Sequence, residues 1–274
     1  MAILYIVATP IGNLEDVTLR ALRILKEVGL IAAEDTRKTR RLLAAYGIRT
    51  ALTSYHEHSN KAKLGYLLDY LQDKDVALVS EAGMPGLSDP GYELIVAAAQ
   101  RGIPVVPIPG PSVVVTALVV SALPTHQFTY LGFLPRKKGE RIRLLKSVAS
   151  EPRTMVALEA PHRLLSTLND LADVLGNRNI AIGRELTKVY EEVFRGTISQ
   201  AIEHFQQPRG EFTLVIEGDT GTKKPVSTSE VEPELRHLYH QGATAKEAIS
   251  RLSLTTGLSK KELYRAWLRV KGSE

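Results

Sequence analysis

The sequence predicts an α/β protein: two α/β domains in tandem, followed by a small helical module. Three observations carry this expectation. Short apolar runs alternate with stretches of helical period through the first part of the chain. The rhythm changes after Leu123-Pro124-Thr125. Beyond Thr220-Gly221-Thr222-Lys223-Lys224-Pro225, a linker by composition, only helical patterns remain. The expected divisions are residues 1–120, 121–220 and 225–274.

In the first division, Leu4–Thr9 reads as a buried strand. Leu14–Gly29 carries Leu14, Val17, Ala21, Leu22, Leu25 and Val28 at helical spacing. Leu30–Ala33 is a second strand, and Arg37–Tyr46 a helix ended by Gly47. Ala51–Tyr55 reads as a strand and Lys61–Gln72 as a helix. Val76–Ser80 is an apolar strand, and Tyr92–Gln100 a helix stopped at Arg101-Gly102. Val105–Ile108 runs into Pro109-Gly110-Pro111 before the small-residue helix Val113–Ala122. This alternation argues for a mostly parallel sheet covered by helices.

The second division offers Phe128–Phe133 as a strand, Glu140–Ser150 as a basic helix, and Thr154–Leu158 as a strand. His162–Leu175 follows as a helix and Ile180–Ile182 as a strand. Tyr190–Gly196 and Phe212–Ile216 are strands flanking a Ser199–Gln206 helix. The third division holds helices at Glu232–Gln241, Thr244–Leu252 and Ser259–Val270. The last two open on the boxes Thr244-Ala245-Lys246-Glu247 and Ser259-Lys260-Lys261-Glu262, and their pairing suggests a helix-turn-helix-like module.

Charge is unevenly placed. The net charge is +5, yet residues 220–274 hold 10 Lys or Arg against 6 Asp or Glu. Arg37-Lys38-Thr39-Arg40-Arg41 has four cations in five residues, and Arg136–Lys146 has six cations against Glu140. Either cluster alone reads as a solvated face, whereas three basic zones together point to a polyanionic partner. Arg40, Arg41, Arg136, Lys137, Lys138, Arg141, Lys260, Lys261 and Arg265 are the candidate contacts to that polyanion.

Cysteine is absent, which excludes disulfides, Cys-ligated zinc, iron–sulfur clusters and a Cys nucleophile. Of seven scattered His only His56 and His58 stand at His-x-His spacing, too few for a ligand set, which argues against a metal site. No apolar run reaches a membrane-spanning length of about 18 residues. The opening Met1–Val7 reads as a strand and not as a signal peptide, so the expected location is the cytoplasm.

The first strand ends in Ala8-Thr9-Pro10-Ile11-Gly12-Asn13, without the three-glycine turn of dinucleotide folds. Four further turns sit where a parallel sheet places its ligands, beyond strand C-termini. They are Glu34-Asp35-Thr36-Arg37, Ser80–Gly91, Pro107–Ser112 and Glu159-Ala160-Pro161-His162-Arg163. Each alone reads as an ordinary strand-to-helix turn. Together with Leu4–Leu14, Ile31–Arg37, Arg184-Glu185-Leu186-Thr187-Lys188 and Gly210–Gly218, they make a specific set.

On these residues the chain resembles the tetrapyrrole methylase superfamily of S-adenosylmethionine-dependent methyltransferases. Within it, the resemblance is to the branch that methylates a cytidine 2′-hydroxyl in the decoding region of 16S rRNA. The resemblance implies a class III methyltransferase fold, with the cofactor in a cleft between two α/β domains, and a homodimer working on the 30S subunit. It places Pro10, Ala82, Gly83, Met84, Thr116, Ala117 and Leu158 near S-adenosylmethionine, with Pro109 and Gly110 leaving room for it. One departure is Glu81, where the family usually has Asp.

Methyl transfer from a sulfonium needs no metal, but a ribose hydroxyl is a poor nucleophile. A base, or a cation that stabilises the developing alkoxide, helps. The candidates are Glu34, Asp35, Arg37, Glu185 and Lys188, with Arg163 and His162 also in reach of a strand exit. Two readings stand for Arg184–Lys188, a catalytic group or a structural ion-pair strip. His162 reads as a base or as a helix cap. Two alternatives compete with the RNA methyltransferase. One keeps the fold with a small tetrapyrrole-like substrate, and the other is a non-enzymatic nucleic-acid binder acting through the C-terminal helices.

Overall fold

The computed structural model describes residues 2–56, 59, 61–221, 228–241, 243–245, 247–249, 252, 258 and 260–272. The chain divides into two compact units, residues 1–149 with 153–217, and residues 150–152 with 218–274.

The first unit holds two five-stranded sheets. The first sheet is formed by β1 (Leu4–Val7), β2 (Leu30–Ala33), β3 (Leu52–Ser54), β4 (Val76–Val79) and β5 (Val105–Ile108), in the order β3-β2-β4-β1-β5. Every pairing is parallel. Its central strands β1, β2 and β4 are apolar because both faces are covered, whereas the edge strand β3 carries Thr53 and Ser54. Leu4, Ile6, Leu30, Ala32, Val76 and Leu78 point to one face, under α3 (Lys61–Tyr70) and α4 (Tyr92–Gln100). Val7, Ile31, Ala33, Ala77 and Val79 point to the other, under α1 (Leu19–Glu27) and α2 (Thr36–Ala45). The period-2 alternation of strand side chains divides the two cores.

The second sheet is mixed. It comprises β6 (Phe128–Phe133), β7 (Thr154–Glu159), β8 (Asn179–Arg184), β9 (Glu192–Thr197) and β10 (Phe212–Ile216), in the order β6-β7-β10-β8-β9. Only β6 and β7 are parallel; β10 runs antiparallel to β7 and β8, and β9 antiparallel to β8. One face packs under α6 (Lys138–Ser147), α7 (Leu164–Leu175) and α8 (Ile198–His204) through Met155, Ala157, Ile180, Ile182 and Leu214. The opposite face, with Val156, Ala181 and Val215, receives Val114, Ala117 and Leu118 of α5 (Val113–Val120). Thus α5, which follows the last strand of the first sheet, covers the second sheet, although the expected boundary near residue 120 lies after it.

Several element ends differ from expectation for identifiable reasons. The stretch Leu14–Gly29 breaks into a 3-10 turn (Leu14–Asp16) and α1, because Thr18 caps the helix by accepting from Ala21 N at 3.1 Å. The strand read as Ile180–Ile182 extends to Asn179–Arg184, since its polar ends still find ladder partners.

The second unit is helical, with α9 (Thr228–His240) and α10 (Lys260–Gly272). Val231, Leu235 and Leu238 pack with Leu263, Ala266, Trp267 and Val270, both sets at helical spacing. Arg269 Nε donates to Glu232 Oε1 at 2.8 Å across the pair. The box expected at Thr244 is present: Glu247 N donates to Thr244 Oγ1 at 3.3 Å, and Thr244 N to Glu247 Oε2 at 2.9 Å. Most of the expected turn between Leu252 and Lys260, including Ser259, lies outside the described residues.

Candidate functional site

Thr9, just past β1, and Gly83, in the loop after β4, exchange backbone hydrogen bonds of 2.9 and 3.0 Å. Gly83 holds φ +78°. A residue with Cβ pays roughly 1–2 kcal/mol in that region, so glycine answers a backbone requirement. The Ser80 hydroxyl donates to the carbonyls of Ala82 and Gly83 at 3.2 and 3.4 Å, curling the loop further. Glu81 N donates to Glu34 Oε2 at 3.0 Å, which joins the exits of β4 and β2, and Lys38 forms an ion pair with Glu81.

These loops form one wall of a cavity of about 410 Å³, a size suited to a cofactor. On this side lie Ile11, Glu34, the Glu81–Met84 turn and Leu87–Asp89. The first turn of α5 contributes Ser112, Val113 and Val114. The second sheet supplies Tyr130 and Phe133 from β6, Leu158 and Glu159 from β7 with Ala160 and Pro161 beyond it, and Glu211, Phe212 and Thr213 around the start of β10. The cavity lies between the two sheets of a single unit. Its ionisable lining is acidic, from Glu34, Glu81, Asp89, Glu159 and Glu211, without a Lys or Arg. Three of these carboxylates, Glu81, Glu159 and Glu211, are paired with Lys38, Arg163 and Lys188.

The expected residues divide by environment. Glu34, Glu81, Ala82, Gly83, Met84 and Leu158 line the cavity. Pro10 follows the Thr9–Gly83 bridge directly. Gly110 lets the turn after β5 approach β1, since a Cβ there would sit 2.9 Å from Ala8 Cβ. Ala117 is buried against the second sheet, and Thr116 is half-buried beside it. Asp35 caps α2, accepting from Arg37 N and Lys38 N at 2.7 and 3.3 Å. The Arg37 N–H is the main reason its carboxyl lies below the usual range. Arg37 itself is exposed.

Glu185 and Lys188 form a network with Glu211. Glu185 Oε1 accepts from Lys188 Nζ at 3.0 Å and from Glu211 N at 2.8 Å, while Lys188 Nζ also reaches Glu211 Oε2 at 2.9 Å. Desolvation opposes the charge on Glu185, but the Glu211 N–H and Lys188 outweigh it and hold its carboxyl low. Desolvation likewise opposes the charge on Lys188, whose pKa is nonetheless raised by Glu211 and Glu185. The loop is strained, with φ +47° at Glu185 and +67° at Thr187. It lies close to Gly12, where a Cβ would stand 2.5 Å from Lys188 Cγ. The network touches the cavity through Glu211.

Arg163 turns inward. It pairs with the buried Glu159 at 2.5 Å and donates to Leu134 O at 3.0 Å. His162 is exposed beside a second cavity, with Gln207 and Arg209.

Of the residues expected to meet RNA, Arg40, Arg41, Arg136, Lys137, Lys138, Lys261 and Arg265 are exposed. The side chain of Lys260 lies outside the described residues. Arg141 is a correction: it is only 4% exposed, and it donates to Asp170 Oδ2 at 2.7 Å and to the Pro135 carbonyl at 3.2 Å. A guanidinium needs buried acceptors when it leaves water, and α7 supplies the carboxylate. Arg141 therefore anchors α6 and does not face a nucleic acid.

The sequence reading missed Asp89, Ser88 and Tyr130. Burial and the charge of Glu34 push the Asp89 carboxyl from its usual 3.8 up to about 6, against a hydrogen bond with Ser80. Burial and the charge of Asp89 raise Tyr130, whose hydroxyl lies 2.8 Å from Ser88 Oγ. Asp89 stands inside the Ala82–Gly91 loop that attracted attention for its glycines. Tyr130 is hidden in an apolar strand run. Among the described residues, no group of three or more His, Cys, Asp or Glu is placed to hold a metal ion.

A family model for tetrapyrrole (corrin/porphyrin) methylases matches residues 3–202. A protein of Halalkalibacterium halodurans named ribosomal RNA small subunit methyltransferase I is 48% identical over 270 residues, covering 95% of this chain and 93% of that one. A protein of the same name from Synechocystis is 46% identical, covering 98% and 99%. One of that name from Thermotoga maritima is 50% identical, with 80% of this chain covering 99% of it. Among solved structures, a diphthine synthase superposes with a TM-score of 0.63 at 13% identity, over 79% of this chain and 90% of that one. Uroporphyrin-III-C-methyltransferase from Thermus thermophilus gives 0.58 at 21% identity, over 81% and 96%.

Proposed function

Because the chain belongs to the tetrapyrrole methylase family, we propose that it methylates the 2′-hydroxyl of a cytidine ribose in the decoding region of 16S rRNA. The protein is an S-adenosylmethionine-dependent methyltransferase acting on ribosomal RNA of the small subunit. The observation that carries this is near full-length identity of 46–48% to proteins named for that activity. The cavity suits the cofactor. Its carboxylates offer acceptors to an ammonium, and the Ala82-Gly83-Met84 backbone is fixed by the Thr9 bridge.

When bound, S-adenosylmethionine supplies an activated methyl on a sulfonium leaving group. The residues of this chain orient the acceptor, exclude water and manage the proton. Phe133, Leu158 and Val113 give the cavity its apolar patches, and exposed Arg40, Arg41 and Arg136–Lys138 provide cations outside it for phosphates. A ribose in a regular helix is hard to bring into such a cavity, so the substrate is a splayed nucleotide in folded rRNA on the 30S subunit.

The same reading includes a homodimer and a cytoplasmic location. Exposed Leu19, Val189 and Tyr190 leave apolar surface for a second copy. No described helix is long and apolar enough to cross a membrane.

Mapping 2′-O-methyl sites in 16S rRNA with and without the gene tests the proposal. One cytidine should lose its methyl, and with it its resistance to alkaline cleavage, in the deletion strain. Alkali sensitivity at the labelled nucleotide would place the methyl on a base. Faster methylation of a free tetrapyrrole than of any RNA would instead favour the small-substrate reading.

A further inference from the structure

The cavity brings five carboxylates together, but four have partners that define their roles. Glu81 is paired with Lys38. Glu159 is held by Arg163, by the Thr167 hydroxyl at 2.6 Å and by Ala160 N at 2.7 Å. Glu211 is paired with Lys188. Glu34 accepts from Glu81 N and ties two loops together. Asp89 differs: it is hydrogen-bonded to Ser80, no cation pairs with it among the described residues, and the cavity wall it shares carries Tyr130 and Ser88.

We propose that Asp89 is the general base that takes the proton of the acceptor ribose hydroxyl, with the Ser88–Tyr130 hydroxyl pair orienting that hydroxyl beside it. This rests on the ribose-methylation reading above. As the O–H bond breaks, its proton passes to the Asp89 carboxylate. The freed electron pair of the oxygen forms the O–CH3 bond. The methyl–sulfur bond breaks and its pair stays on sulfur. No oxidant, reductant or metal enters the balance.

The setting suits such a base. The charged and titratable groups that line the cavity with Asp89 are Glu34 and Glu81 from the exits of β2 and β4, Tyr130 from β6, Glu159 from β7 and Glu211 at β10, and Glu34 and Tyr130 interact with it. Burial and the nearby Glu34 charge bring the Asp89 carboxyl to about 6. A base with a pKa near the working pH is ionised yet basic enough to draw a proton. Ser88 sits at φ +63°, a conformation that a serine adopts only when its surroundings hold it there. Its hydroxyl lies 2.8 Å from that of Tyr130.

The test compares wild type, Asp89→Asn and Tyr130→Phe in single-turnover methylation of small ribosomal subunits, with S-adenosylhomocysteine affinity measured by calorimetry. Asp89→Asn should slow transfer by about 100-fold or more while leaving affinity within about threefold. The wild-type rate should rise with pH through about 6, and this limb should vanish in the variant. Tyr130→Phe should slow transfer by about tenfold and keep the limb. A second readout needs neither cofactor nor substrate. An Asp whose folded pKa is raised contributes stability that is complete below its usual value and is lost as pH rises through about 6. Asp89→Asn should therefore melt a few degrees above wild type at about pH 8 and match it at about pH 4. Near wild-type transfer in Asp89→Asn overturns the proposal, as does parallel loss of rate and homologue binding. If wild type methylates no ribose, the substrate reading falls first. An Asp89→Asn protein less stable at about pH 8 then overturns the ionisation of Asp89 independently.

Discussion

At the scale of single residues, backbone conformation separates positions that look alike in the sequence. Gly83 and Gly139 are both loop-like glycines by composition. Only Gly83 takes a left-handed φ, at +78°, and only it is bonded to Thr9 on both its N–H and its carbonyl. A Cβ at Gly83 would find ordinary contacts, 3.6 Å from Ile11 Cγ2 and 3.8 Å from Pro111 O, so strain and not collision is the obstacle. Gly83→Val should cost roughly 2 kcal/mol of stability, since a β-branched residue fares worse than alanine at positive φ. It should also weaken S-adenosylhomocysteine binding by an order of magnitude or more, because the turn is cavity wall. Calorimetry on the folded variant reads the affinity and a denaturant titration reads the stability. Unchanged affinity would remove the turn from the site.

At the scale of elements, patterning places a helix and packing decides its duty. The stretch around α6 reads as a basic face throughout, yet Arg141 points inward to Asp170 while Arg136 and Lys137 stay exposed. Under the proposed function the stretch therefore offers fewer cations to RNA than the sequence suggests. The helical unit is a clearer case. It has its own core around Leu235 and Trp267, and about a fifth of this chain has no counterpart in the Thermotoga maritima relative. Deleting residues 225–274 should leave S-adenosylhomocysteine affinity unchanged and lower rRNA affinity. It should also flatten the dependence of log affinity on log salt, since each lost phosphate contact removes about one unit of slope. Filter binding across a salt series checks this. An undiminished slope after truncation would mean that the unit makes no phosphate contacts.

At the scale of the whole molecule, apolar side chains remain on the surface of the larger unit. Leu19 is 86% and Val189 93% exposed, and Tyr190 sits beside Val189 on a strained loop. The adjacent Val189 and Tyr190 are therefore candidates for burial against a second copy. Light scattering should give twice the mass of one chain, and replacing Val189 and Tyr190 together by Asp should shift the population to monomer. A wild-type protein that stays monomeric at micromolar concentration would put the surface to another use.

The sequence determined the order of elements, the two faces of the first sheet and the turns that hold the cavity. Leu4/Ile6 against Val7, and Leu30/Ala32 against Ile31/Ala33, show both helical layers in a few residues, because a strand's alternation reports which faces are buried. The family motifs marked Ala82–Met84 and Leu158, and the strand exit marked Glu34; all of these line the cavity. Tertiary structure alone decided the rest, because periodicity reports burial and is silent on the partner. It set α5 on the second sheet, paired Arg141 with an aspartate 29 positions away, and made Asp35 a helix cap. It also gathered Asp89, from the loop after β4, and Tyr130, from β6 of the other sheet, into one cavity. A carboxylate's role depends on the charges and hydrogens that surround it in space, and residues far apart in the chain supply most of them.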